Sequence, residues 1–116
     1  VCNIDSRDMT EEIYEKIIEA IDKSGTHIII THGTDTMSNT AQLLLERLSS
    51  DHGKTIILIG SMYPYALSPN DVGFNLGYAI GQCPSLESGI YICMNAQTFN
   101  AGRAVKNTEK GVFEAA

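Results

Sequence analysis

Basic residues are scarce. The chain has 8 Lys and Arg against 14 Asp and Glu, for a net charge of −6, and the basic residues are scattered. Phosphate binding needs clustered cations, so nucleic acid is not an expected partner. Cysteine is equally sparse. Cys2, Cys83 and Cys93 are far apart, form no Cys-x-x-Cys, and by their odd count cannot complete a set of disulfides. They read as reduced thiols of a cytoplasmic protein. No close-spaced Cys/His set suggests zinc, and no metal is expected. No apolar run reaches the ~18 residues that a spanning helix needs, so no membrane partner is expected, and no signal-peptide pattern is visible. Internal repeats and low-complexity tracts are also lacking. The chain opens Val1-Cys2-Asn3 without an initiator Met, which reads as upstream processing or truncation.

What is there fits one small globular domain over residues 1–116, since 43% of the residues are hydrophobic and 19% charged. "MTEEIYEKIIEAIDK" (9–23) carries an apolar stripe at 13, 14, 17, 18 and 21, the mark of an amphipathic helix. Asp8 or Thr10 can cap it, and Gly25 closes it. "THIIIT" (26–31) is a continuous β-branched run, expected as a strand buried on both faces. Residues 36–49 form a second helix with Met37, Ala41, Leu44, Leu45 and Leu48 on one side. "KTIILIG" (54–60) and "SGIYICMN" (88–95) are further strands, and "DVGFNLGYAIGQ" (71–82) is a glycine-weakened helix between them. The remainder is polar, with a short final strand expected at Val112-Phe113. Apolar strands alternating with helices predict an α/β fold, a three-layer parallel sheet with helices on both faces.

Such sheets bind ligands at the carboxyl ends of their strands. Those ends are Thr31 to Asp35, Gly60-Ser61 and Met94-Asn95, and "DSRD" (5–8) is a fourth polar turn. In "IIITHGTDTMSNTAQLLLERL" (28–48) the turn His32-Gly33-Thr34-Asp35-Thr36 sets two hydroxyls around one carboxylate. Two readings stand. Asp35 and Thr36 can simply cap the helix, with Gly33 serving a tight turn. Alternatively Thr34 is a nucleophile or substrate ligand, which needs a nearby base such as a desolvated Lys. His32 reads as a packed or hydrogen-bonded histidine, and Asp71 as the cap of its helix.

These residues carry a resemblance. "THGTDTM" followed by "TA" and a Leu-rich helix resembles the second signature of bacterial-type L-asparaginases. "SMYPYALSPNDVGFNLGYAI" resembles the next family segment, "IDSRDM" its Ser-bearing substrate loop, and "GIYICMN" with "KNTEKGVFE" the ending of a short single-domain branch. The resemblance covers essentially the whole chain and implies an asparaginase amino-terminal-domain-like fold. It implies that Thr34, Asp35 and a Lys form a proton-handling triad, with Thr34 activating water or attacking the amide. It also implies substrate binding by Ser6, Gly33, Thr34, Asp35 and Ser61: Ser6 on the α-carboxylate, Asp35 on the α-amino group, Gly33 and Ser61 through backbone. Lys106, twelve residues after Met94, matches the family's catalytic Lys. Lys54 opens a strand at the wrong edge and reads as solvated.

One departure stands out. The family's other essential threonine lies in a Gly-Gly-Thr-Ile turn after its first strand, and that segment is not in this sequence. "SGTHIII" (24–30) imitates it, but Thr26 starts its strand rather than ending one. A first strand and nucleophile loop are therefore expected to be missing, as is the second domain of the long family form. The expected function is hydrolysis of L-asparagine to L-aspartate and ammonia by threonine-dependent nucleophilic catalysis, with no cofactor and a small amino acid as partner. The alternative is an inactive asparaginase-like domain that binds an amino acid or a partner chain. A third reading, an amidase supplying ammonia to tRNA-dependent amidation, needs a tRNA-binding domain. An exposed sheet edge would favour a homo-oligomer or pairing with the missing segment. Asparagine against glutamine preference depends on pocket size.

Overall fold

The computed structural model describes residues 10–48, 52–61, 71–101, 103–107, 110 and 112–115. The elements run α1 (Glu11–Lys23), β1 (His27–Thr31), α2 (Met37–Arg47), β2 (Thr55–Ile59), α3 (Val72–Gln82), β3 (Gly89–Met94), β4 (Gln97–Asn100), β5 (Ala104–Asn107) and β6 (Val112–Ala115). β1, β2 and β3 are parallel neighbours in that order, and β4 pairs antiparallel with β3. β5 and β6 form a separate antiparallel pair. The α/β class and the helices on both faces are as the sequence indicates.

β2 is the centre. Its five residues, Thr-Ile-Ile-Leu-Ile, are all buried because strands flank it and helices cover both faces. Alternation sends Ile56 and Leu58 to one face, where they meet Met37, Ala41 and Leu44 of α2 and Ile21 of α1. Ile57 and Ile59 go to the other, against Ala79 of α3 and Cys83 just after it. Each of these side chains contributes about 1.5–3 kcal/mol by leaving water. The two crossovers, β1-α2-β2 and β2-α3-β3, step in the same direction across the sheet, yet their helices lie on opposite faces. They must therefore be of opposite hand, and one is the rare left-handed kind.

Several details differ from the sequence expectation. β1 is not buried on both faces like β2. Its ends are exposed and its isoleucines half-buried, because it stands at the sheet edge. Beside it an open, largely apolar groove of about 320 Å³ is lined by His27, Ile29, Ile80, Cys83 and Pro84, on the side away from the strand ends that carry polar residues. Leu45 is about half exposed, one helical step off the Met37-Ala41-Leu44-Leu48 stripe. Thr10 caps α1, its hydroxyl oxygen accepting from the Ile13 N–H at 3.4 Å, while Asp8 lies outside the described residues. Lys54 is only partly exposed: its ammonium holds the Ile21 and Ser24 carbonyls at the end of α1, where a cation suits the helix dipole.

The polar tail holds β6, which contains the strand expected at Val112-Phe113, and also β4 and β5, which periodicity does not reveal. Met94 pairs with Gln97 across a two-residue turn. Both turn residues, Asn95 (φ 56) and Ala96 (φ 57), are left-handed, as a type I′ hairpin requires. Asn tolerates that conformation, whereas Ala costs about 1–2 kcal/mol there. Ala96 is exposed, so nothing else is lost on truncation. Ala96→Gly is expected to stabilise the chain by about 0.5–1 kcal/mol, read as a raised urea midpoint at constant slope.

Candidate active site

The Thr34 turn follows β1 at its carboxyl end and precedes α2. Thr36 stands at the N-cap position of α2, but its side chain makes no capping hydrogen bond. Thr34 is buried to 9% exposure, and the Asp35 side chain is half exposed.

Lys106 comes from β5, far along the chain. Its ammonium donates to Thr34 Oγ1 at 2.8 Å and to Asp35 Oδ1 at 2.8 Å. The expected meeting of the three side chains is present. Lys106 faces Phe113 across the β5–β6 pair, and Phe113 is buried in the core under α2. That anchor holds the lysine stem and leaves the side chain about 21% exposed. As an ammonium, Lys106 polarises the Thr34 oxygen and pairs with the carboxylate. As a neutral amine it can accept the Thr34 proton. Ser6 lies outside the described residues. Gly33 and Ser61 both lie on the same sheet edge, because the β1–β2 register sets Thr31 opposite Ile59.

His32 fixes the turn. Its backbone N–H donates to Ile59 O at 2.8 Å, which extends the ladder by one bond. Its ring Nδ1 lies 2.5 Å from Gly33 O and its Nε2 2.8 Å from Thr40 Oγ1. A carbonyl only accepts, so Nδ1 carries the proton and Nε2 accepts from the Thr40 hydroxyl. Burial pushes the His32 pKa below its usual 6.5, the hydrogen bond to Gly33 opposing this in part. Gly60 completes the packing. A Cβ there would fall 2.2 Å from His32 O, 2.8 Å from Met37 Cε and 3.4 Å from Thr34 Cγ2.

The sequence did not single out Asn75, which is buried in α3. Its signals are its place in the family-like stretch "SMYPYALSPNDVGFNLGYAI" and its position four residues after Asp71 on a largely apolar helix. Asp71 also departs from expectation. It stands at the N-cap of α3 without capping, and its carboxylate instead accepts from the Ser61 hydroxyl and from Asn75 Nδ2. Among the described residues no cluster of His, Cys, Asp and Glu could hold a metal.

An α/β domain with a Thr–Asp–Lys constellation at its strand ends defines a class, and comparison with known proteins agrees. The family model "Asparaginase, N-terminal" matches residues 1–114. The probable periplasmic L-asparaginase of Haemophilus influenzae is 32% identical over 97% of this chain and 33% of that protein. A glutamyl-tRNA(Gln) amidotransferase component of Methanococcus maripaludis is 30% identical over 84% of this chain and 24% of its own length. The crystal structure of a probable cytoplasmic L-asparaginase from Campylobacter jejuni superposes with a TM-score of 0.81, at 30% identity, covering 98% of this chain and 37% of that one. This chain belongs to the asparaginase family. It spans 24–37% of the length of these relatives.

Two outcomes are expected. Gly60→Ala must push back a main-chain oxygen, so it should cost about 1–3 kcal/mol by denaturation and weaken any ligand held at the Thr34 turn. His32 also makes stability depend on pH. Its folded pKa is depressed, so the unfolded chain binds more protons once pH falls below about 6.5, and stability present above that pH is lost as pH drops toward the folded value. Urea midpoints of His32→Gln should fall less steeply than wild type below pH ~6.5. Parallel slopes would show that His32 does not titrate differently on folding.

Proposed function

We propose that this chain carries the Thr34–Asp35–Lys106 centre of an amidohydrolase that converts L-asparagine and water to L-aspartate and ammonia. The carrying observation is the single ammonium of Lys106, 2.8 Å from both the Thr34 hydroxyl oxygen and the Asp35 carboxylate. In this reading Lys106, as the neutral amine, takes the proton of Thr34 while Oγ1 attacks the side-chain amide carbon. The C–N bond breaks, the proton passes to the leaving nitrogen, and ammonia departs. Water then hydrolyses the threonine ester, which releases aspartate and restores the hydroxyl. Asp35 receives the substrate ammonium, Ser6 its α-carboxylate, and Gly33 and Ser61 offer backbone contacts. No cofactor takes part.

The 116 residues serve as one asparaginase-like unit that works with a Gly-Gly-Thr-Ile strand supplied in the same polypeptide or by a different chain, and the half-buried β1 edge is where such pairing fits. The buried free thiols Cys83 and Cys93 suit a reducing cytoplasm. Relatives named as components of a glutamyl-tRNA(Gln) amidotransferase favour a second reading, in which the same centre releases ammonia for transfer rather than for disposal.

The test is ammonia release and amino-acid binding. Asp35→Asn should weaken asparagine binding, since a charge-assisted bond is lost. Unchanged affinity by calorimetry rejects that role. Because catalysis depends on cooperating groups, the chain alone should turn over asparagine slowly or not at all. Adding the Gly-Gly-Thr segment, on the chain or as a peptide, should raise the rate by about a hundredfold or more, and Thr34→Ala should remove that gain. Ordinary enzyme rates from the bare chain, abolished by Thr34→Ala, would show that the Thr34 centre needs no second threonine.

A further inference from the structure

Asn75 is 1% exposed and sits between the ends of two strands. The two hydrogens of its Nδ2 are shared among Gly60 O at the end of β2 at 2.8 Å, Asp71 Oδ2 at 3.2 Å and Met94 Sδ of β3 at 3.4 Å, the Gly60 contact being the shortest. Its Oδ1 accepts from the Asn95 N–H at 3.2 Å. One buried amide thus joins β2, β3 and the start of α3. The same Asp71 carboxylate takes the Ser61 hydroxyl. A carboxylate only accepts, so the proton on Ser61 Oγ is directed at Asp71.

This fixes a direction. A planar trans peptide points its C=O and N–H to opposite sides. The Gly60 carbonyl is drawn toward Asn75 on the β3 side. The Ser61 N–H is therefore turned to the β1 side, where His32 bonds Ile59 O and the Thr34 turn begins. Gly60 itself lies against that turn.

We propose that Asn75 is a positioning residue: by holding the Gly60 carbonyl it orients the Gly60–Ser61 peptide toward Thr34 and so sets how well the site binds the amide end of its substrate. The proposal rests on the amidohydrolase reading above. Asn75 touches no substrate. It acts through a peptide that, left alone, can rotate and offer the site a carbonyl in place of an N–H.

The test uses the full chain, isotope-labelled for NMR, with L-asparagine and L-alanine as ligands. Alanine shares the α-amino acid end and lacks the amide. In wild type, a scalar coupling through the hydrogen bond should link Asn75 Nδ2 to the Gly60 carbonyl, and the Ser61 amide signal should shift with asparagine but not with alanine. In Asn75→Asp, which keeps an acceptor for Asn95, or in Asn75→Leu, which keeps the branched heavy-atom outline without donor or acceptor, preference for asparagine over alanine should fall about tenfold, the effect of one buried hydrogen bond. Alanine affinity should stay within about twofold, which a merely structural loss would not spare. An absent coupling, a Ser61 signal indifferent to asparagine, or an unchanged preference in a folded variant overturns the proposal. A wild-type chain that shows the coupling yet has no preference for asparagine overturns the amidohydrolase reading instead.

Discussion

Everything at the candidate site depends on one long-range contact. The Lys106 ammonium reaches back across 72 residues to Thr34 and 71 to Asp35. Neither partner can place it. The turn is local to β1 and α2, whereas Lys106 belongs to a two-stranded hairpin outside the main sheet. What docks the hairpin is Phe113, opposite Lys106 in register and buried among residues of α1, α2 and β3. An apolar anchor thus positions a cation, and the cation organises the polar edge. Removing the ammonium would leave the Asp35 carboxylate and the Thr34 oxygen facing each other with no shared donor.

The sheet explains why that edge is rigid. Parallel strands end together, so the turns after β1, β2 and β3 lie side by side. Because α2 and α3 cover opposite faces, the edge is tethered from both sides. From the α2 face, Thr40 bonds the His32 ring, which in turn holds Gly33 O. From the α3 side, Asn75 holds Gly60 O and the Asn95 N–H. Two crossovers of one hand would put both helices on one face and leave the other uncovered. The left-handed crossover is the cost of gripping the strand ends from both faces.

Much of this was legible in the sequence, for a physical reason. β2 and β3 are uniformly apolar because both their faces are covered, and the α1 and α2 stripes repeat at helical spacing because each buries one face. The Thr-Asp turn and Lys106 were legible through family likeness rather than periodicity, since no local pattern ties residue 34 to residue 106. The illegible parts share one cause, namely dependence on neighbours distant in sequence. β4 is reached by a turn of Asn95 and Ala96, without the glycine that marks such turns. The half-buried state of β1 follows from its place at the edge, which its three isoleucines do not announce. Asp71 reads as a helix cap by position, yet its carboxylate is drawn to Ser61 and Asn75 instead.

The division of labour among the polar residues follows from their burial. Asp35 and Lys106 are the more exposed groups, and both charges survive because each neutralises the other at the water boundary. Among the described residues the buried polar side chains, Thr34, Thr40, Thr55 and Asn75, are uncharged. His32 is kept neutral by burial and by a hydroxyl that donates to Nε2. Asn75 is an amide, which can donate and accept at once without paying for a buried charge. An aspartate there could accept from Asn95 but not hold Gly60 O, and a lysine could do only the reverse. A buried residue that must both accept an N–H from one strand end and donate to a carbonyl of the next is confined to a side chain with both functions, and an amide does so without changing charge with pH. That requirement, rather than the chemistry of Thr34, is what places an asparagine inside an otherwise apolar helix.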